Sequence, residues 1–166
     1  MISDFVKGKK KFDYSPVIQK GIELHRNIDR FTDDHEATRE AITYLKPAVG
    51  LYSGAFIDVV FDHFLANDTF EFSDESLQQH ALTSYAILQQ HYDVLPVKFQ
   101  SMLPYMQSQN WLYNYKTMHG LQSSFGGVVR RAKYLESSAE AFALFQQHHD
   151  LLKECYRRFF PFVKAF

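Results

Sequence analysis

The sequence has few of the residues that interrupt helices. Its 166 residues include only 7 glycines and 5 prolines, which favours a small number of long helices over many short strands. It has a single cysteine, Cys155, which excludes an intramolecular disulfide and fits a reducing compartment. A Gly-rich phosphate loop and a serine nucleophile elbow are both absent, which argues against a P-loop NTPase and an α/β-hydrolase.

Charge and hydrophobic runs exclude further classes. The formal net charge is −1, so no global basic field indicates a nucleic-acid partner. No uninterrupted apolar run approaches the roughly 20 residues of a membrane span. Near the start, Asp4 and a run of lysines occupy the place where a secretory signal would be apolar. We therefore expect a soluble, cytoplasmic protein with no membrane span.

What the chain does contain is material for a packed core. Apolar residues make up 46% and aromatic residues 16%, with 16 Phe and 10 Tyr, a composition typical of an ordered globular protein. The length fits one domain over residues 1–166. A Phe-rich tail at residues 159–166 is interpreted as a packing or dimer surface, so a homo-oligomer is allowed.

Local signals predict an all-α chain of seven to eight helices. Ser15-Pro16 starts the first, because serine caps a helix and proline is preset for its first turn. Asp33 or Asp34 is expected to cap the second, and Pro47 and Pro161 are expected to end or kink theirs. The remaining expected helices cover residues 36–45, 48–66, 74–95, 97–107, 111–119, 121–134 and 139–159.

Two of these helices carry polar groups on apolar faces. On the first, His25 and Asp29 are four residues apart and lie on one face, which Asp33 continues. On the third, Asp58 and Asp62 fall in a helical stripe that we interpret as facing the core. His63 lies near the edge of the same face in that interpretation.

Three explanations compete for this pattern. An unpaired buried carboxylate costs several kcal/mol, so something must neutralise the cluster. A divalent metal would do so; so would an ion-pair network with Arg26 and Arg30, and metal-free acid/base catalysis is the third option. Imidazole and carboxylates without a thiolate suit Mn, Fe, Zn or Mg. Such an ion favours metal-assisted hydrolysis of a phosphate ester.

At these segments the chain resembles the acyl carrier protein phosphodiesterases, a divergent branch of the HD-domain phosphohydrolases. The matching stretches follow one another in the family's order and together reach over nearly the whole chain. They are residues 3–8, 21–33, 61–65 and 110–115, followed by Arg130-Arg131.

The resemblance implies a fold, a reaction and a site. The fold would be an HD-like helical bundle, and the reaction would release 4′-phosphopantetheine from the serine of holo-acyl carrier protein, with Mn as the expected metal. The implied metal ligands and water-activating groups are His25, Asp29, Asp62, His63 and Asp4. Asp58 and Asp33 would orient these ligands without contacting the metal themselves. Arg26 or Arg30 would bind the phosphate through the paired N–H donors of a guanidinium group.

The resemblance also implies a basic surface for the carrier protein, which is small and acidic. Lys7, Arg130 and Arg131 are the expected docking residues, and Trp111 and Tyr115 are expected to line a channel for the pantetheine arm. Trp111 and Tyr115 are also explained by ordinary packing on one helix face.

One departure from the family leaves two other functions open. Family members carry a further N-terminal segment with an Asn-Phe-Leu-Ala-His-like motif, and this sequence starts at the later Asp-Phe-Val-Lys-Gly stretch. Loss of that histidine would weaken metal binding. The alternatives are therefore a metallo-phosphohydrolase of a small phosphodiester or nucleotide, and a helical binding module that has lost its activity.

Overall fold

All regular structure in the described chain is helical. A computed structural model describes residues 2–166, and the all-α prediction is confirmed for them. Within that range there are nine α-helices rather than seven or eight: α1 Pro16–Asp34, α2 Glu36–Val49, α3 Ser53–Ala66, α4 Asp74–Gln90, α5 Val97–Ser108, α6 Trp111–Asn114, α7 Met118–Arg131, α8 Ala139–Gln147 and α9 His149–Lys164. Short 3₁₀ turns lie at Ser3–Phe5, Gly8–Asp13, Gly50–Tyr52 and Tyr92–Val94.

Helix starts follow the sequence signals in two places and depart from them in a third. Pro16 opens α1, and the Ser73 hydroxyl caps α4 by accepting the Ser76 N–H at 3.2 Å. The expected cap by Asp33 or Asp34 is wrong, because both residues remain within α1. His35 caps α2 instead, and its Nδ1 accepts the Ala37 N–H at 3.2 Å.

The prolines do not end their helices as expected. Pro47 lies inside α2, two residues before its last residue, and Pro161 lies inside α9, three residues before its last residue. Each proline lacks an N–H and leaves the carbonyl four residues earlier without its helical donor, which costs one hydrogen bond, and the helix continues only for these few residues. The expected long final helix is interrupted at His148, which separates α8 from α9.

Two hydrophobic clusters hold the helices together. The larger one joins α2, α3, α7, α8 and α9, with Phe56 and Phe125 edge to face at a centroid distance of 4.7 Å. Ala37 and Ala41 are fully buried and let α9 approach α2 closely. The smaller cluster is built mainly by α4 and α5 around Phe99. An open cleft, with walls from α5 and α7, lies between the two clusters.

One stretch has the length and composition of a membrane span. It covers Glu36–Ala66, with a mean hydropathy of 1.3 in its most apolar window, and half of that window is buried inside the fold. The core helix of a soluble protein has the same profile, so this is weak evidence for a span.

Candidate active site

The cleft is a wide concave feature of the described chain. Its volume of about 1930 Å³ exceeds the roughly 300–1,000 Å³ usual for small-molecule pockets, so it accommodates an extended ligand. Its walls come from the N-terminal 3₁₀ turns, α1, α5, α6 and α7. Of the sequence-predicted residues, it is lined by Asp4, Lys7, Trp111, Tyr115, Arg130 and Arg131.

The structure brings Asp4, His25 and Asp29 together where the N-terminal turn meets α1, and Asp4 also lines the cleft. Their potential ligand atoms all lie within 4.8 Å of one another, and Nδ1 of His25 is 2.9 Å from Oδ2 of Asp29. The i,i+4 spacing on α1 produces the His–Asp pair. The N-terminal turn adds Asp4, because the Arg26 guanidinium donates a hydrogen bond to the Val6 carbonyl and ties that turn to α1.

This bond changes the interpretation of the two arginines of α1. Arg26 donates a hydrogen bond to the Val6 carbonyl, so it positions the N-terminal turn, and its expected role in binding phosphate stays a prediction. Arg30 is exposed, and the cleft lining does not include it. No ion pair among residues 2–166 joins either arginine to Asp58 or Asp62. The structure therefore contradicts a neutralising arginine network.

The carboxylates of α3 do not lie in a packed seam, which corrects the sequence interpretation. Asp58 and Asp62 are solvent-accessible, and Leu51 on the same stripe is fully exposed. The core side of α3 is its other face, with Phe56, Val60 and Phe64. Because apolar residues lie on both sides of α3, its hydrophobic pattern does not identify one core face. The face with the larger aromatic side chains is the one that packs into the core.

Although both carboxylates are exposed, the protein around them affects their titration. Partial burial raises the pKa of Asp62 to about 7. The pKa of Asp58 also rises to about 7, first through burial and then through repulsion by the negative charges of Asp62, Asp33, Asp29 and Asp4. Carboxylates from α1, α3 and the N-terminal turn thus lie close enough to repel one another, an arrangement that a cation would stabilise.

Stability of the metal-free protein should therefore fall as pH rises. The carboxyls of Asp58 and Asp62 have an ordinary pKa of 3.8 and a folded-state pKa of about 7, so between these values the folded state binds more protons than the unfolded chain. The stabilisation is complete below about pH 4 and is lost as pH rises through 7.

Thermal melts in EDTA between pH 4.5 and 8 measure this effect. Asp58→Asn should melt several degrees above wild type at pH 8 and close to it at pH 4.5. Saturating Mn should raise the wild-type melting temperature most at pH 8. Parallel curves for wild type and variant over the whole range would contradict mutual repulsion among the carboxylates.

His63 lies away from the cleft, so its expected role as a metal ligand or catalytic group is not supported. The side chain is buried, and Nδ1–H donates to the Tyr115 carbonyl at 2.7 Å. Phe145 packs edge to face on its ring. Burial lowers the pKa of His63, so the ring is neutral and serves to fix the start of the α6–α7 connection.

The cleft also contains a residue that sequence reasoning missed. Ser124 of α7 lines the cleft, as does Tyr115. Burial, followed by the negative charge of Asp62, raises the pKa of Tyr115. Gly120, Ser124, Gly127 and Arg131 recur every three or four residues, roughly 100° around the helix from the buried Leu121, Phe125 and Val128. That row of small and polar residues was visible in the sequence and would have identified this face of α7.

Comparison with known proteins supplies a family. The family described as acyl carrier protein phosphodiesterase matches residues 1–163. A relative of that name from Yersinia pestis is 30% identical over 165 residues, covering 97% of this chain and 84% of its own. Relatives of the same name from Salmonella dublin and Salmonella newport are 28% identical over 166 residues, covering 99% of this chain and 86% of theirs. No solved structure matches the chain.

Proposed function

This chain belongs to the acyl carrier protein phosphodiesterase family, and we propose that it hydrolyses the phosphodiester between 4′-phosphopantetheine and the serine of holo-acyl carrier protein. The products are the apo-carrier and free phosphopantetheine. The observation that carries the proposal is the cluster of Asp4, His25 and Asp29 beside a cleft that is lined by basic side chains. We expect the enzyme to act in the cytoplasm.

The donor set of the cleft fits a divalent metal. Carboxylate oxygens and one imidazole suit Mn, our first choice, and also Fe, Zn or Mg. His25, Asp29 and Asp4, whose ligand atoms cluster, would hold the ion, and Asp62 would join them. The negative charges of Asp58 and Asp33 lie close to this group and would add to its attraction for a cation. When bound, such an ion lowers the pKa of water toward neutrality and polarises a phosphoryl oxygen.

Contacts within the chain prepare these residues for that task. Nδ1 of His25 bonds to Asp29 at 2.9 Å, which fixes the ring and leaves Nε2 as its available ligand atom. The pKa of Asp62 is raised by burial to about 7 in the metal-free protein, and a cation bound beside it would lower that pKa and keep the carboxylate ionised. The chain therefore orients a ligand through Asp29 and supplies a charged carboxylate through Asp62.

The basic side of the cleft suits an acidic protein substrate. Five cationic side chains line it: Lys7, Lys10, Lys98, Arg130 and Arg131. Their positive charge would steer an acidic carrier to the cleft and hold its phosphorylated serine near the carboxylate wall. Lys7 and Arg130 are also exposed, so they are available for docking.

A Lys10→Gln/Arg130→Gln variant should therefore bind the carrier more weakly without slower chemistry. We expect KM to rise about 3- to 10-fold at low salt, with kcat changed less than twofold, because the lost charges act before the reaction. The difference should shrink in 0.5 M NaCl, because salt shortens the electrostatic screening length, which is already only about 8 Å at physiological ionic strength. Arg157→Gln on α9, paired only with Glu154 at 3.9 Å, is the control. A salt-independent change in KM would contradict steering.

Mass spectrometry of the carrier tests the function directly. Holo-acyl carrier protein is incubated with the protein and Mn, and the expected result is a carrier lighter by one phosphopantetheine. An intact carrier together with cleavage of bis(p-nitrophenyl) phosphate would indicate a small-substrate phosphodiesterase instead. An intact carrier that still binds tightly, with no cleavage of either substrate, would indicate a binding module.

A further inference from the structure

We propose that the N-terminal turn is a ligand-bearing segment held in place by two anchors, and that Arg26 is a positioning residue for metal binding. The turn covers Ser3–Phe5 and ends at Val6. Through this turn, Arg26 sets the place of the Asp4 carboxylate without touching the metal itself. The inference rests on the proposed function only in assigning a metal to the cluster that Asp4 forms with two residues of α1.

The turn is too short to hold Asp4 in place by itself. It is a single 3₁₀ turn of three residues, with two backbone hydrogen bonds of 3.0 Å that are donated by the N–H groups of Phe5 and Val6. Isolated helical turns of this length gain little stability of their own, because one or two hydrogen bonds must offset the ordering of several residues. The place of the exposed Asp4 side chain therefore depends on what the turn packs against.

The first anchor is the hydrogen bond from α1. Nη2 of Arg26 donates to the Val6 carbonyl, and the Val6 side chain is buried, with 2% of its surface exposed. Arg26 directly follows His25 on α1, so the residue that holds the turn is the chain neighbour of the imidazole that Asp4 approaches. One short stretch of α1 thereby supplies two members of the cluster and the contact that brings in the third.

The second anchor comes from the smaller hydrophobic cluster. The Phe5 ring packs edge to face on Phe99 of α5 at a centroid distance of 5.5 Å, and Phe99 is buried in that cluster. Because Phe5 directly follows Asp4, this contact fixes the turn next to the carboxylate. The complete metal cluster therefore forms only while the turn is held by both α1 and α5.

The same anchors connect the metal cluster to the cleft. Asp4 and Lys7 both line the cleft, and Lys7 directly follows the anchored Val6. A metal that binds Asp4 stabilises the anchored turn, and by linkage the anchored turn favours the metal to the same extent. Metal binding should therefore also order the segment that presents Lys7 to the carrier.

The charge of Arg26 distinguishes a positioning role from its other possible roles. A guanidinium near a cation site repels the cation, so loss of the Arg26 charge would by itself strengthen metal binding. A role in binding phosphate alone would likewise leave metal affinity at the wild-type level or above it. A fall in metal affinity in a folded Arg26 variant is therefore the result that a positioning role predicts.

Isothermal titration calorimetry with Mn tests the proposal without relying on turnover. We expect Arg26→Gln to weaken Mn binding about 10- to 100-fold, the range for residues that orient metal ligands. Arg26→Lys, which retains a donor for the Val6 carbonyl, should keep most of the affinity. Arg157→Gln, which removes the same charge on α9, should bind Mn as wild type does. Loss of one hydrogen bond lowers the melting temperature by only about 2–4 °C, so Arg26→Gln should remain folded.

A double-mutant cycle with Asp4→Asn shows whether Arg26 acts through Asp4. Asp4→Asn should weaken Mn binding, and Arg26→Gln added to it should weaken binding little further, because the carboxylate that Arg26 positions is already gone. Phe5→Leu removes the second anchor and replaces Arg26→Gln in the cycle if that variant folds poorly. Hydrogen exchange over residues 2–14 is a second measurement, which Mn should slow in wild type and leave unchanged in Asp4→Asn.

Two results would overturn the positioning role. One is a Mn affinity of Arg26→Gln that equals or exceeds that of wild type, and the other is an equal loss of affinity in the wild-type and Asp4→Asn backgrounds. A wild-type protein that leaves the carrier intact, but whose Mn affinity depends on Arg26 through Asp4, would refute the proposed substrate and support the inference. Cleavage of the carrier together with a Mn affinity independent of Arg26 would do the reverse.

Discussion

Replacing Asp62 by asparagine is expected to lower kcat on holo-acyl carrier protein at least about a thousandfold. The change keeps the shape of the side chain and removes the charge that would bind the metal and accept a proton. A thousandfold loss corresponds to about 4 kcal/mol of transition-state stabilisation, within the several kcal/mol that a metal at a phosphoryl oxygen supplies. Turnover is measured by the mass of the carrier, and bound metal by elemental analysis after dialysis.

Stability distinguishes this loss from simple unfolding. Because Asp62 has a raised pKa in the fold, its ionised form destabilises the metal-free protein, and Asp62→Asn should melt no lower than wild type at pH 8. Asp150→Asn on α9 is the matched control, since that exposed carboxylate bonds only to its neighbour His149; its kcat should remain within twofold of wild type. An Asp62→Asn protein with normal turnover and metal content would place the reaction centre elsewhere.

Local sequence rules predict the parts of the site that lie on one helix. The His25–Asp29 pair follows from a spacing of four on α1, and the structure places the two side chains 2.9 Å apart. Ser15-Pro16 and Ser73 start helices as expected. In each case the interacting groups are separated by less than two helical turns, so neither the rest of the fold nor a distant partner is needed to decide the outcome.

The orientation of α3 could not be predicted in the same way. Its apolar residues cover most of the helix surface, so two different stripes fit a helical period equally well. Asp62 and His63 are adjacent, and which of them faces the cleft depends on the Tyr115 carbonyl, 52 residues further along the chain. A single sequence carries no signal for that contact, because the acceptor is a backbone group that every residue has.

The wall of the cleft around α6 and α7 is a tertiary property for the same reason. Tyr115 lies in the turn after α6 and Ser124 lies in α7, and both line the cleft because the connection between the two helices is tight. The family resemblance supplies Arg131 and Tyr115 separately, as a docking residue and a channel residue. Their place in one wall of the same cleft follows only from the fold.

The tightness of that connection makes Gly120→Ala the substitution with the largest expected effect on stability. A Cβ at Gly120 would lie 1.9 Å from the Asn114 carbonyl oxygen, an impossible contact with backbone. The same carbonyl accepts the Thr117 N–H at 2.9 Å, and Thr117 in turn caps α7 through the Gly120 N–H at 2.9 Å. Relief of the clash must therefore break the cap or displace the turn that carries Tyr115.

We expect Gly120→Ala to lower the free energy of unfolding by about 3 kcal/mol, the upper part of the range for overpacked sites. For a chain of this size the melting temperature should fall by roughly 6–12 °C.

Gly126→Ala in the same helix is the control. Its Cβ meets only the tip of Arg130 at 3.5 Å, and alanine is more favourable than glycine in a helix interior by about 0.5–1 kcal/mol. Because the displaced turn holds Tyr115, which lines the cleft, the folded fraction of Gly120→Ala should also lose kcat, whereas Gly126→Ala keeps it. Equal melting temperatures for the two variants would show that α6 and α7 meet less closely than described, and the fixed position of Tyr115 in the cleft would have to be abandoned.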